Sequence, residues 1–412
     1  MLLFHKAWAV AGPLPLPLKS SRYQAEPRWF WPRSVYVHVP FCAHHCCYCD
    51  FAVVTGADRL ADVYLDALER EMALWLAEPI DVETIYIGGG TPSWLSPARL
   101  RRLLTIIQQF CSYQRGNVEY TLEANPDDVT EEKLGLLVEF GVNRLSLGVQ
   151  SFHPATLRFL ERHHDPASIA KAIELALKHI SNVSLDLIFA VPGQTLTDWH
   201  NDLARACQTG AQHLSTYNLT VEPKTALWAR VRRGQVCPCD EETERSLYEY
   251  TITYLEDHGW EHYEISNFAR PGYASRHNQV YWSGEAYLAF GLGAARYVGG
   301  TRSSNTRSLR SYLSQLRAGQ LPIAESETLT PTERAAETAA LQLRRRQGIH
   351  RDRFRQQTGF DLDTLLGSAL RRHRNRGWLE DDGVTVRLSR QGIFYADLVC
   401  ADCVASAQSS SR

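Results

Sequence analysis

The chain has no apolar run of the length that a bilayer-spanning helix requires, so no transmembrane segment is expected. It also lacks an excess of one charge: 44 Lys and Arg stand against 46 Asp and Glu, a formal net charge of −2. That balance removes any global electrostatic drive toward nucleic acid or anionic lipid. No export signal is clear, because the apolar start Leu2-Leu3-Phe4 is short and broken by His5 and Lys6. Without export the ten cysteines are not expected to form a disulfide framework, and a cytoplasmic location follows. Acidic residues are missing before Glu26, and the alternation Pro13-Leu14-Pro15-Leu16-Pro17-Leu18 suits neither helix nor buried strand, since proline blocks both. Residues 1–33 are therefore expected to be a disordered extension; an organellar transit peptide and a start codon set too far upstream are the alternatives.

What is present is enough for two or three domains: 412 residues, 44 % of them hydrophobic. The most informative stretch is Cys42-Ala43-His44-His45-Cys46-Cys47-Tyr48-Cys49. A Cys-x3-Cys-x2-Cys loop lets Cys42, Cys46 and Cys49 wrap three corners of a cubane iron–sulfur cluster. The fourth iron is then left open to chelate a small molecule. Zinc is the competing metal, with His44 or His45 as a fourth ligand, although structural zinc usually draws its ligands as two separated pairs. Buried, inert cysteines are the third reading. Cys47 breaks the ligand spacing and is read as packing. Cys237-Pro238-Cys239 and the pair Cys400 and Cys403 lack further ligands at helpful spacing, while Cys111 and Cys207 sit in helical patterns as core.

Apolar strand-like runs at 34–39, 84–87, 118–123, 144–149, 183–189 and 213–219 alternate with helical patterns at 61–76, 97–110, 131–140, 167–178 and 196–207. Six β–α units imply parallel pairing in a barrel or partial barrel; a doubly wound open sheet is the competing topology. Residues 34–265 form this core, and 266–329 make a Gly- and aromatic-rich connection. Residues 330–399 read as three helices and a hairpin at Asp382-Gly383, a winged-helix-like module, with a tail at 400–412. The Arg-rich run 371–376 within it reads as a solvated helix face rather than a nucleic-acid contact.

Polar residues gather where the strands end, the position at which parallel α/β folds hold ligands. Gly88-Gly89-Gly90-Thr91-Pro92 follows the second strand; glycines there let backbone approach a ligand, or simply make a turn. Glu123 ends the third strand, Gln150 the fourth, and Asp186 lies within the fifth. Several such groups on the cysteine side describe one shared site.

Together with Tyr36–Cys42, Gly88–Ser93, Glu123-Ala124-Asn125-Pro126, Gly148–Phe152, Asp186–Phe189 and Tyr217–Pro223, these motifs make the chain resemble the HemN/HemW branch of radical S-adenosylmethionine proteins. That branch contains oxygen-independent coproporphyrinogen III oxidases and their heme-chaperone relatives. The resemblance implies a partial (β/α)6 radical-SAM barrel with a C-terminal helical module. It implies a [4Fe-4S] cluster on Cys42, Cys46 and Cys49, and S-adenosylmethionine contacts from Tyr36, Tyr48, Gly89, Gly90, Thr91, Glu123, Gln150, Arg162 and Asp186. Asp50-Phe51 follows the third cysteine where the oxidases resemble Cys-Gly-Cys, which is similar to the chaperones. Arg276-His277-Asn278-Gln279-Val280-Tyr281-Trp282 also matches the chaperones, and it implies heme contact by His277. A buried histidine among core aromatics is the alternative there. Arg296 stands where the family often has a small or polar residue, and it is expected either to pair with a heme propionate or to alter the pocket. The implied function is heme binding and delivery to an acceptor protein, with a reductant serving the cluster. The rival is an oxidase acting on coproporphyrinogen III.

Overall fold

The computed structural model describes residues 17–18 and 27–409. The central sheet is built from β1 (Ser34–Val39), β2 (Thr84–Gly89), β3 (Glu119–Ala124), β4 (Arg144–Gln150), β5 (Asn182–Phe189) and β6 (His213–Asn218). Each successive strand joins its predecessor in parallel, in unbroken sequence order. A doubly wound sheet would reverse its order at a switch point. The barrel-type winding is therefore the correct one of the two topologies. The strands alternate: Val35, Val37, Ile85, Ile87, Leu122, Leu145, Leu185 and Leu187 are all buried on one face, while Tyr36, Tyr86, Glu123, Ser146 and Asp186 stand on the other.

The connecting helices are α1 (Ala61–Trp75), α2 (Pro97–Phe110), α3 (Glu131–Glu139), α4 (Pro166–His179), α5 (Leu196–Gln208) and α6 (Glu241–Asp257). Several start on side-chain caps: Ser96, Thr130, Asp165, Thr195 and Asp240 each accept a backbone N–H of the first turn. Past β6 the sheet continues through antiparallel β7 (Glu261–Glu264) and β8 (Asn267–Ala269), in the order β6-β8-β7. After α7 (Arg276–Ser283), β9 (Leu288–Phe290) pairs in parallel with β1 on the opposite edge. Part of the expected connection is thus a strand of the main sheet.

A second, antiparallel sheet of β10 (Ala295–Val298), β11 (Thr301–Asn305) and β12 (Ile323–Thr328) follows, with α8 (Leu309–Arg317) between its last two strands. Arg296 of β10 is fully buried, forms an ion pair with Glu71 of α1 at 3.1 Å, and lies over the Trp75 ring at 4.5 Å. Glu71 also accepts from the Gly291 amide, Asn305 and Tyr312 at 2.8, 2.6 and 2.7 Å. Arg296 therefore bolts this sheet onto α1, and it is not among the residues that line the cavity beyond the strand ends.

The C-terminal module comprises α9 (Pro331–Leu343), α10 (Arg351–Thr358) and α11 (Leu362–Asn375), then the hairpin β13 (Leu379–Asp381) and β14 (Thr385–Leu388). Asp382 caps that turn by accepting the Val384 and Thr385 amides, and Gly383 supplies the positive φ of +87°. The tail expected from residue 400 begins inside a helix, α12 (Ala396–Ser409), where Cys400 and Cys403 are buried. The arginine run is partnered within the module: Arg372 reaches Asp402, Arg374 reaches Asp381, and Arg376 covers Trp378. At the other terminus, Leu18 is buried and its amide donates to the Trp75 carbonyl at 2.9 Å. The expectation of disorder for residues 1–16 and 19–26 lies outside the described residues. Among the described residues no helix is long and apolar enough to cross a membrane.

Candidate functional site

The cysteine loop leaves the C-terminal end of β1 and is strapped on both sides. Phe41 pairs in parallel with Val54, and the Val54 amide donates to the Pro40 carbonyl at 2.7 Å. Gly90 and Thr91 donate to the carbonyls of Val39 and Phe41, each at 2.8 Å. The three glycines at the C-terminal end of β2, Gly88, Gly89 and Gly90, serve these close contacts. A Cβ at Gly88 would lie 2.8 Å from the Glu123 carboxylate, one at Gly89 2.5 Å from the His38 ring, and one at Gly90 2.7 Å from the Phe41 carbonyl. The run presses β2 against Glu123 and the cysteine loop. Approach to a ligand is not needed to explain it.

Beyond the strand ends opens a cavity of about 450 Å³, within the roughly 300–1,000 Å³ of small-molecule sites. Eleven of the residues expected at the site line it: Cys42, Cys46, Cys49, Tyr48, Gly89, Gly90, Thr91, Glu123, Gln150, Arg162 and Asp186. Two do not. Tyr36 is half-buried, its hydroxyl 3.0 Å from His38 Nδ1 and its ring stacked on Tyr86. His277 is 1 % exposed on α7, with Nδ1 2.7 Å from the Thr84 hydroxyl and Nε2 2.8 Å from the Tyr281 hydroxyl. Burial holds its pKa down at about 3, so the ring is neutral. In this seat His277 matches the buried-histidine alternative, with both nitrogens occupied.

The cavity is electrostatically mixed. Arg162 donates to the Gly148 carbonyl at 2.8 Å and to Asn125, with its other nitrogen 3.6 Å from the Cys46 sulfur. Burial opposes the Arg162 charge, but Tyr48 and Cys46 outweigh it and raise the pKa. Burial pushes the Cys42 thiol up, and the Cys49 thiol up to about 11. Thr91 Oγ1 lies 3.5 Å from the Cys42 sulfur. Glu123 accepts from the Tyr86 hydroxyl at 2.8 Å and the Gly89 amide at 3.0 Å, yet burial pushes its pKa up to about 7, with Asp186 adding to the rise. Asp186 is itself raised by burial and takes the Ser146 hydroxyl at 3.2 Å.

This donor set suits the expected ligands. Three thiols on one loop face one cavity, and soft thiolates favour iron–sulfur clusters. Two half-buried carboxylates, Glu123 and Asp186, are able to accept from ammonium and ribose hydroxyl groups, and one guanidinium is able to donate to a carboxylate. A Cβ at Gly148 would sit 2.9 Å from Gln150 Nε2 and 3.2 Å from Arg162, so that glycine keeps room for both.

Sequence reasoning missed three contributors. Tyr86 lines the cavity and holds Glu123. Asn125 receives Arg162 and lies 3.3 Å from Thr91. Asp202, on α5, grips the turn after Gln150. Tyr86 and Asp202 carry no motif signal; Asn125 belongs to a motif already singled out. Cys47, by contrast, is buried with its sulfur toward the Phe159 carbonyl, as expected of packing.

Residues 36–206 match the Radical SAM superfamily, and residues 329–395 match the HemN C-terminal domain. The heme chaperone HemW of Bacillus subtilis is 39 % identical over 363 residues, spanning 87 % of this chain and 96 % of that one. The chain belongs to the HemW family of radical S-adenosylmethionine proteins. HemW of Lactococcus lactis is 34 % identical over 88 % of this chain and 94 % of its own. In structure, the HemW-family fold resembles the coproporphyrinogen III oxidase HemN of Escherichia coli, with a TM-score of 0.79 over 93 % of both chains at 23 % identity. At that identity the likeness shows the fold alone. The radical-SAM fold implies a [4Fe-4S] cluster and S-adenosylmethionine, which the donor set accommodates.

Proposed function

We propose that this protein is a heme chaperone that binds heme and transfers it to an acceptor protein. The observation that carries this reading is the 39 % identity, across nearly the full length of both chains, with a protein named a heme chaperone. Asp50 after the third cysteine and the His277–Trp282 motif support it. The oxidase reading has support in fold only.

In this reading Cys42, Cys46 and Cys49 hold the cluster. A cluster held there would supply one-electron chemistry to bound S-adenosylmethionine, for which a reductant is needed. The chain's own residues orient that ligand: Arg162 meets its carboxylate, Glu123 and Asp186 its hydroxyl and ammonium groups, and Gln150 closes the wall. Heme is the cargo. Ten free cysteines fit a reducing compartment such as the cytoplasm.

The test is anaerobic reconstitution with iron and sulfide, followed by titration with heme and, separately, incubation with coproporphyrinogen III. We expect stoichiometric heme uptake with a Soret band, transfer to an added apo-hemoprotein, and unchanged coproporphyrinogen III. Decarboxylation of the porphyrinogen would overturn the reading, as would a chain that takes up no heme.

A further inference from the structure

Four histidines line the cavity at the strand ends: His44, His45, His163 and His164. Three of them are held by the chain. His164 is buried, its Nε2 3.0 Å from the Val149 carbonyl. His45 Nε2 lies 3.0 Å from the Cys49 carbonyl, within the cysteine loop. His44 Nε2 lies 3.2 Å from Glu161, whose other oxygen takes Arg230 at 2.5 Å. His163 differs. It is exposed, and neither of its ring nitrogens has a hydrogen-bond partner among the described residues. Its ring packs edge-to-face on that of His44, with centroids 5.3 Å apart.

The same cavity has an apolar rim. Phe51 is 50 % exposed and Tyr217 43 %, two of the eight large hydrophobic side chains left exposed among the described residues, and both line it. Exposed apolar side chains gathered at one opening mark a binding surface. A neutral imidazole without a hydrogen bond keeps an open lone pair on one nitrogen and serves as a metal ligand. A structural zinc ion takes four ligands, more than His163 and His44 supply. A porphyrin fills four positions of its iron itself and takes one or two from the protein, commonly an imidazole. Its flat faces pack on aromatic rings. Handing the cargo over also needs an accessible ligand. An acceptor reaches the cavity mouth, whereas His277, at 1 % exposure, is closed to it.

We propose that His163 is the axial ligand of the cargo heme iron, and that Phe51 and Tyr217 support the porphyrin at the cavity mouth. The inference rests on the chaperone reading and names the residues that hold its cargo. It divides one cavity between two ligands. Arg162, Glu123 and Asp186, all less exposed than His163, face S-adenosylmethionine in the interior, and the rim carries heme. Glu161 fixes His44 between the cysteine loop and Arg230, and the His44 ring in turn backs that of His163.

The experiment uses the full chain, cluster-loaded under anaerobic conditions and titrated with heme, with the Soret band as the readout. His163 is exposed, so its variants keep the fold, and equal iron and sulfide content before titration checks this. His163→Ala should bind heme about 10–100-fold more weakly. His163→Cys should still bind it but with a displaced Soret band, because a thiolate then takes the iron. Phe51→Ala and Tyr217→Ala should each weaken binding severalfold and leave the band where it is. Wild-type affinity in His163→Ala, or an unmoved band in His163→Cys, overturns the ligand assignment alone. Wild-type affinity in both rim variants overturns the placement at the mouth. Wild-type protein that takes up no heme overturns the chaperone reading instead.

Discussion

Asp202 of α5 accepts the Ser151 hydroxyl at 2.5 Å on one oxygen and the Phe152 amide at 2.7 Å on the other. A carboxylate from the outer helical layer thereby closes the turn that follows β4. The turn needs a clamp, because Gln150 holds φ at +67°, a region that costs a non-glycine residue free energy. Ser151 passes the restraint on by accepting the His153 amide at 2.9 Å.

Burial lifts the Asp202 pKa from 3.8 to about 6. The folded chain then binds this proton more tightly than the unfolded chain. Stability should accordingly fall as pH rises from about 4 to 6, by about 3 kcal/mol from this group. Urea unfolding across that window should show the slope in wild type and a flatter one in Asp202→Asn. Identical slopes in the two proteins would refute the assignment. Asp202→Ala should also weaken S-adenosylmethionine binding, through the loosened Gln150 turn.

Replacing Cys42, Cys46 or Cys49 with Ala should abolish cluster assembly, read as iron content and visible absorption after reconstitution. Cys47→Ala should assemble it normally while losing about 1 kcal/mol of stability, because its sulfur is packed against Phe159. Iron loss in Cys47→Ala equal to that in the other three would contradict the ligand set.

Gly90→Ala places a Cβ 2.7 Å from the Phe41 carbonyl and 2.8 Å from the Pro40 backbone. Strap and cysteine loop must separate, so we expect a loss of about 1–3 kcal/mol together with poor iron loading. Gly135→Ala in α3 is the control, since nothing lies within 4 Å of its Cβ. It should stabilise by about 0.5–1 kcal/mol. Equal melting temperatures for the two variants would discredit the contact argument.

Arg296→Met leaves the buried Glu71 carboxylate without its cation, and burial already raises the Glu71 pKa. We expect a destabilisation of about 3–5 kcal/mol, part of it recovered in the double variant Glu71→Gln/Arg296→Met. Denaturant titration reads both. Heme and cluster content of the folded protein should be unchanged, because Arg296 faces α1; loss of heme uptake alone would return it to the pocket.

The sequence by itself determined the six-strand parallel core, the cysteine triad and most of the cavity wall. Strands such as Val35–Val39 and Val183–Phe189 alternate apolar with polar residues, Val35, Val37, Val183, Leu185 and Leu187 being buried, so local periodicity suffices to read them. Thiol spacing and polar strand ends are likewise local, and 11 of the 13 expected site residues line one cavity. Tertiary structure alone decided that β9, three residues of no particular pattern, completes the sheet beside β1. It alone seated His277 against Tyr86, turned Arg296 toward Glu71, and set Asp202 beneath Ser151. Those partners stand 191, 225 and 51 positions apart in the chain, and each pairing is a choice made by burial. A buried polar group takes whichever partner the packed layers bring within reach, and no local periodicity records which one that is.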